Sequence, residues 1–138
     1  AYGYTEKLAK AACTELAADP ALDVQLLNAV FTPFDKLVET INGADAVMVG
    51  SCTINRDAPK IIWDLLSCVD AVNTRGKPAG AFGSYGWSGE AVPMIKSRLE
   101  QLKFKFIGDG QCVNFMPSDT DISNIKAYAR EIVSNIKS

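Results

Sequence analysis

The segment Ala46-Val47-Met48-Val49-Gly50 is an uninterrupted apolar run of strand length that ends at a glycine. Such a run is typical of a β-strand covered on both faces, because neither face then meets water. A helix is predicted before it at Phe34–Ile41, closed by Asn42-Gly43, and another is predicted after it from about Pro59. A buried strand between two helices favours an α/β protein with a parallel sheet.

The rest of the chain repeats this alternation of helix and strand signals. Helices are predicted from Thr5 to about Asp19, over Val92–Leu102, and from the capping run Ser118-Asp119-Thr120-Asp121 to Ile136. Strands are predicted at Val24–Leu27, Gly80–Phe82, Phe104–Ile107 and Gln111–Phe115. We therefore expect one domain over residues 1–138, with a doubly wound parallel sheet that binds ligands beyond the carboxyl ends of its strands.

Composition excludes several classes of function. A chain of 138 residues with 48% hydrophobic content can bury one core, and its net charge of −2 gives no electrostatic case for binding nucleic acid or an anionic membrane. No apolar run approaches the roughly 18 residues that span a bilayer, and no signal segment opens the chain. The expectation is a cytoplasmic domain.

The chain contains no histidine, so Ser-His-Asp catalysis, Cys-His catalysis and His-ligated metal sites cannot be assembled within it. Its cysteines, Cys13, Cys52, Cys68 and Cys112, form no Cys-x-x-Cys pair, and we expect all four to be free thiols. Redox chemistry by this chain would therefore need an organic cofactor.

Three segments follow predicted strands or open the first helix, and each has two interpretations. Ala1–Thr5 offers helix N-terminal amides, Gly3 and a hydroxyl to a phosphate, or only a threonine N-cap. Gly50–Asn55 could contact a planar heterocycle, or be an ordinary strand-to-helix loop. Gly83–Glu90 places Tyr and Trp among glycines and serines, which suits stacking on a ring system, although a loop packed over the sheet end stays open.

Together these segments resemble the flavin-binding loops of the A-type flavoproteins, the flavodiiron proteins. The run GSYGWSGEA at 83–91 resembles the family's third loop, YGYT at 2–5 its phosphate loop, and SCTIN at 51–55 its second loop, in which Cys52 replaces the usual proline. The three motifs occur in the family's order, and the similarity covers essentially the whole chain. The resemblance implies a flavodoxin-like domain with FMN as its cofactor.

The resemblance also assigns roles to residues. The FMN phosphate would be held by Tyr2, Gly3, Tyr4 and Thr5. The ribityl chain and one side of the flavin would be lined by Ser51, Cys52, Thr53, Ile54 and Asn55. The other side would be formed by Ser84, Tyr85, Gly86, Trp87, Ser88 and Gly89, with Trp87 as the stacking residue.

The family's module implies a relay that takes electrons from a rubredoxin or its reductase and passes them to a diiron domain. That diiron domain is not within this chain, so oxidoreductase activity at a metal would need it from elsewhere, and a homo-oligomer is left open. The family's five-stranded sheet has the order 2-1-3-4-5, and its first strand would precede Ala1. We expect that strand to be missing here, supplied by a partner chain, or replaced by a rearrangement.

Two alternatives to the electron relay remain. One is a flavodoxin-like interaction module that has lost FMN binding, which the Cys52 exchange and the absent first strand favour. The other is a reductase that uses NAD(P)H directly, although nothing in the sequence resembles a nicotinamide pocket. Uptake of FMN by the purified protein distinguishes the first alternative from the relay.

Overall fold

The computed structural model describes residues 4–29, 31–51, 60–85, 91–114 and 117–136. Helices and strands are interspersed along these ranges, as in an α/β protein. The helices are α1 (Tyr4–Ala17), α2 (Phe34–Gly43), α3 (Lys60–Ser67), α4 (Ala71–Thr74), α5 (Ala91–Gln101) and α6 (Asp119–Ser134). The strands are β1 (Val47–Gly50), β2 (Pro78–Tyr85), β3 (Lys105–Phe106) and β4 (Gln111–Asn114).

The sheet is built around β2, and all of its strand pairs are parallel. On one side β1 pairs with β2 in a register that runs from Val47 opposite Ala79 to Gly50 opposite Phe82. On the other side β3 pairs with the start of β2, and β4 pairs with its end, from Phe82 to Tyr85. The carboxyl ends of β1, β2 and β4 therefore lie along one edge of the sheet, which we call the carboxyl edge.

Helices α1 and α6 cover one face of the sheet. The cluster they bury comprises Leu8, Ala12, Phe82, Ile107, Val113, Ile125, Tyr128, Ala129 and Ile132. Ile125, Ala129 and Ile132 recur at helical spacing within the helix that the sequence predicts here, and all three are buried. Each of the two fully buried isoleucines contributes about 1.5–3 kcal/mol to folding.

Helices α3 and α5 cover the opposite face. The buried cluster there comprises Val49, Ile62, Leu66, Val69, Ala79, Ala81, Ala91, Val92, Ile95, Leu99, Leu102 and Phe104. Successive residues of β2 thus alternate between the two clusters, with Ala79 and Ala81 facing α5 and Phe82 facing α1. This double coverage explains why β1 and β2 are apolar or small throughout, and it confirms the α/β class.

β3 and β4 share one side of β2, with β3 beside its start and β4 beside its end, because the chain bends between them. Gly108 and Gly110 have φ values of 62° and 85°, a left-handed region that favours glycine. The hydroxyl of the buried Tyr128 donates a 2.7 Å hydrogen bond to the carbonyl oxygen of Ile107, at the start of this bend. Tyr128 therefore anchors the turn that brings β4 alongside the carboxyl half of β2.

The strand predicted at Val24–Leu27 is wrong. Residues 22–28 form neither helix nor strand, and Leu26 is 47% exposed. An extended segment becomes a strand only when a neighbour satisfies its backbone groups, and no pairing joins residues 24–27 to β1. The described residues form four strands, so five strands in the order 2-1-3-4-5 and the fate of the first strand remain predictions.

Candidate functional site

The candidate site lies along the carboxyl edge of the sheet, where the sequence places its three loop motifs. β1 ends there at Gly50, β2 at Tyr85 and β4 at Asn114. Two of the three motifs begin at the ends of adjacent, hydrogen-bonded strands, which brings Ser51 and Ser84 to neighbouring places in the backbone.

The N-terminus of α1 lies at this same edge. Helix α6 begins at Asp119, five residues after β4 ends, and its C-terminal end lies at the opposite edge, where Asn135 accepts a hydrogen bond from Lys105 of β3. An ion pair between Glu15 and Arg130 joins the C-terminal halves of α1 and α6. The two helices are therefore parallel, and α1 starts at the carboxyl edge.

Helix dipoles along this edge favour an anion, although the first turns of α1 and α6 also carry Glu6, Asp119 and Asp121. Helices that start at the carboxyl edge direct the positive ends of their dipoles toward it. Glu6, the acidic residue in the first turn of α1, forms an ion pair with Lys10 one turn away, with 3.2 Å between the side-chain atoms. At the opposite edge Lys77 donates to the carbonyl oxygen of Asn42 in the last turn of α2, as expected beside a negative helix end.

Ser51 continues the β1–β2 ladder one step past Gly50. Its amide donates a 3.0 Å hydrogen bond to the carbonyl oxygen of Phe82, and only 5% of the residue is exposed. A buried polar residue directly after a strand is uncommon in an apolar core, because burial of its hydroxyl has to be compensated by hydrogen bonding. The second motif therefore starts from a backbone position fixed by β2.

Gly83 lies directly beneath the start of that motif. A Cβ on Gly83 would overlap the carbonyl oxygen of Ser51 and come within 3.1 Å of its carbonyl carbon, and Val92 Cγ2 would lie 3.6 Å away. Glycine is therefore the residue that allows the chain after β1 to approach β2 this closely. The sequence places Gly83 at the start of the third motif but assigns it no contact with the cofactor, and its close approach to Ser51 is visible only in the structure.

The structure describes part of the predicted site. Thr5 lies in the first turn of α1, which begins at Tyr4, so Thr5 is inside the helix rather than at its N-cap. Ser84 and Tyr85 are the last residues of β2 and pair with Val113 and Asn114, so the third motif starts within a strand rather than in a loop. The predicted residues outside the described ranges are Tyr2, Gly3, Cys52, Thr53, Ile54, Asn55, Gly86, Trp87, Ser88 and Gly89.

No metal centre is found in the part of the chain that the structure describes. Within it, no group of three or more Cys, Asp or Glu residues could hold a metal ion, and Cys13, Cys68 and Cys112 are free. Burial raises the pKa of Cys112 on β4, which disfavours its nucleophilic thiolate form at neutral pH. Among the same residues, no helix has the length and apolar character to cross a bilayer.

This arrangement defines a doubly wound α/β domain whose candidate ligand site lies at the carboxyl edge of a parallel sheet. The chain belongs to the flavodoxin family, whose model matches residues 1–128. The family resemblance predicted from the three motifs is therefore confirmed.

Flavodiiron proteins are among its relatives. The chain is 41% identical over 137 residues to the flavo-diiron protein FprA2 of Clostridium acetobutylicum, covering 99% of this chain and 34% of that protein. It superimposes with a TM-score of 0.88 on the rubredoxin oxygen:oxidoreductase of Desulfovibrio gigas at 25% identity, covering 100% of this chain and 35% of the other. The chain therefore spans about a third of the length of these relatives.

A flavodoxin from the domain Archaea matches along nearly its whole length. The TM-score is 0.85 at 27% identity, and the alignment covers 100% of this chain and 94% of the flavodoxin.

Proposed function

We propose that this chain is an FMN-binding electron-transfer domain, with the cofactor at the carboxyl edge. The observation that carries the proposal is the convergence there of the α1 N-terminus with the ends of β1 and β2. FMN has one anionic phosphate and one flat ring, and a helix N-terminus beside two strand ends suits both parts. When bound, FMN supplies one- and two-electron transfer.

The residues at this edge fit such a ligand. Ser51 is a buried polar residue at the end of β1, and the absence of a side chain at Gly83 lets backbone segments come together where a planar ring would be bounded. The first-turn amides of α1 and the Thr5 hydroxyl would hold the phosphate, together with Tyr2, Gly3 and Tyr4.

The two loop motifs would then bound the ribityl chain and the ring. On one side we assign Ser51, Cys52, Thr53, Ile54 and Asn55. On the other side we assign Ser84, Tyr85, Gly86, Trp87, Ser88 and Gly89, with the Trp87 ring stacked on the flavin.

None of these assigned residues is Asp, Glu, Lys, Arg or His. The protein's part is accordingly to bind and orient the cofactor and to set its electrostatic surroundings, because the groups most used for general acid–base catalysis are absent from the assigned set. Helix dipoles and amides, rather than a lysine or arginine, would compensate the phosphate charge.

The relay that we assign to this domain receives electrons from a rubredoxin-type or reductase donor and passes them to a diiron or other redox partner. It is supported by the name of the Desulfovibrio gigas relative, a rubredoxin oxygen:oxidoreductase, and by the match to a flavo-diiron protein. Since the chain spans about a third of both proteins, the diiron partner would lie in another domain or another chain. We place this relay in the cytoplasm.

The two tryptophans make a matched test. Trp87 is the proposed stacking residue, whereas Trp63 lies half-buried on α3 against the core. FMN titration should quench tryptophan fluorescence in wild type and Trp63→Phe, and the quenching should be largely lost in Trp87→Phe. Folded protein that takes up no FMN at micromolar concentration would refute the proposal and favour the interaction module.

The relay has a separate test on FMN-loaded protein. A reduced rubredoxin-type donor should bleach the flavin absorption in a stopped-flow mixing experiment, and Trp63→Phe should behave as wild type. FMN that binds but is not reduced by such a donor would leave the cofactor assignment intact and refute the assigned donor.

A further inference from the structure

Three segments converge at Gly83, namely the chain that follows β1, the end of β2, and the first turn of α5. A Cβ built on Gly83 would overlap the Ser51 carbonyl oxygen, and it would touch Val92 in the first turn of α5 at 3.6 Å. Gly83 itself is held in place from the other side, where it pairs with Cys112 of β4. Ser51 starts the second motif, and α5 follows the third.

The neighbourhood leaves little room for adjustment. The Ser51 amide donates a 3.0 Å hydrogen bond to the carbonyl oxygen of Phe82, the residue before Gly83. This bond holds the two backbones together directly next to the contact between Gly83 and the Ser51 carbonyl. Val92 is buried in the α3 and α5 cluster, which closes the space on the helix side. The obstacle to a side chain is a backbone carbonyl, which cannot change rotamer as a side chain can.

We propose that Gly83 is a positioning residue for the cofactor site, which sets the separation between the starts of the second and third motifs. This inference rests on the proposed FMN function, because the separation matters only if one ligand lies between the two motifs. Any larger residue at position 83 pushes Ser51 away from β2 and widens the site. A binding site whose walls are displaced by about 1 Å loses much of its affinity although all of its contact residues are present.

The test variant is Gly83→Ala, and the chain offers two matched glycine-to-alanine controls. Gly43, at the end of α2, has no described atom beyond its chain neighbours and its own helix backbone within 4 Å of a Cβ at this position, so Gly43→Ala reports the substitution alone. Gly80 lies on β2 three residues before Gly83, and a Cβ there would meet the Tyr128 hydroxyl at 2.5 Å. Gly80→Ala therefore tests a clash in the same strand, but on the face that packs against α6 and not on the side of the cofactor site.

We expect Gly83→Ala to raise the Kd for FMN at least about tenfold, with an altered visible circular dichroism spectrum of the bound flavin. Gly43→Ala should bind within about twofold of wild type. Gly80→Ala should unfold at lower urea concentration and lose less FMN affinity than Gly83→Ala, because its clash can reach the site only through the bend that Tyr128 anchors. An unchanged Kd and flavin spectrum in Gly83→Ala would overturn the inference.

A second measurement needs no cofactor and no variant. In FMN-free wild-type protein the Ser51 amide should be among the amides protected from hydrogen exchange, because it is bonded to Phe82. Rapid exchange at Ser51 would overturn the inference even if Gly83→Ala failed to fold. If wild type binds no FMN while the Ser51 amide is protected and Gly83→Ala exposes it, the proposed function fails and the backbone constraint stands.

Discussion

Removing a single oxygen from Tyr128 tests how the bend between β3 and β4 is held. Tyr128 is 4% exposed, and its hydroxyl donates a 2.7 Å hydrogen bond to the carbonyl oxygen of Ile107, which is also buried. Tyr128→Phe keeps the ring, so it opens no large cavity, but it removes this donor from a buried carbonyl. Such a loss costs about 1–3 kcal/mol, and we expect the free energy of unfolding to fall by about 1–2 kcal/mol at pH 7.

Alkaline pH gives the same substitution a second signature. Burial is the main cause that raises the pKa of Tyr128 to about 12, from an ordinary value of 10.0. Because the folded-state pKa is raised, the stabilisation is fully present below pH 10 and is lost as the pH rises through 12. Two pKa units correspond to roughly 3 kcal/mol, which wild type loses at high pH, whereas Tyr128→Phe has no hydroxyl at this position to titrate and loses none of it.

The two effects together predict that the stability curves cross. Wild type should be more stable by about 1–2 kcal/mol at pH 7, and this difference should vanish at about pH 11. Above that pH, Tyr128→Phe should be the more stable protein. Urea unfolding followed by circular dichroism, at steps between pH 7 and pH 11.5, measures this difference. All other titrating groups are common to both proteins, so equal stability at pH 7 or parallel curves above pH 10 would refute the reasoning.

Two further substitutions test buried and capping hydroxyls. Thr74 is fully buried and donates a 2.8 Å hydrogen bond to the carbonyl oxygen of Leu102, so Thr74→Val should lower the free energy of unfolding by about 1–3 kcal/mol. Thr74→Ser, which keeps the hydroxyl, should cost less, and equal losses in urea titrations would contradict this account. Ser118 accepts a hydrogen bond from the Asp121 amide at the start of α6, so Ser118→Ala should cost about 1 kcal/mol, whereas Ser123→Ala within the same helix should change stability little. A thermal shift for Ser123→Ala as large as that for Ser118→Ala would argue against the cap.

The helices and the buried strands could be predicted because their signals are local. The apolar run before Gly50 predicted β1, and the capping run from Ser118 predicted the start of α6, where the structure has a complete capping box. The helix predicted over Val92–Leu102 corresponds to α5, whose buried residues include Val92, Ile95 and Leu99. In each case the residues from which the element is predicted are the same residues that form the strand, the helix cap or the buried helix face.

Two predictions failed because pairing with a distant partner decides whether a strand forms. Val24–Leu27 has strand-like residues but pairs with none of the described strands, so it stays irregular. Ser84 and Tyr85 have the composition of a loop, yet β4 pairs with them and extends β2 to Tyr85. Strand propensity describes how well a side chain fits a sheet, and it does not determine whether a neighbouring strand is there.

The candidate site was predicted from its motifs, but its spacing depends on packing that no motif contains. Gly83 and Gly110 come from different segments, yet both lie next to Val92. A Cβ on Gly83 would lie 3.6 Å from Val92 Cγ2, and a Cβ on Gly110 would lie 2.5 Å from Val92 Cγ1. Gly110 also has a φ of 85°, so the bend before β4 and the close approach after β1 both rely on glycine beside the first turn of α5. Substitution at either glycine should therefore disturb the site through backbone spacing, without removing any residue that we expect to touch the cofactor.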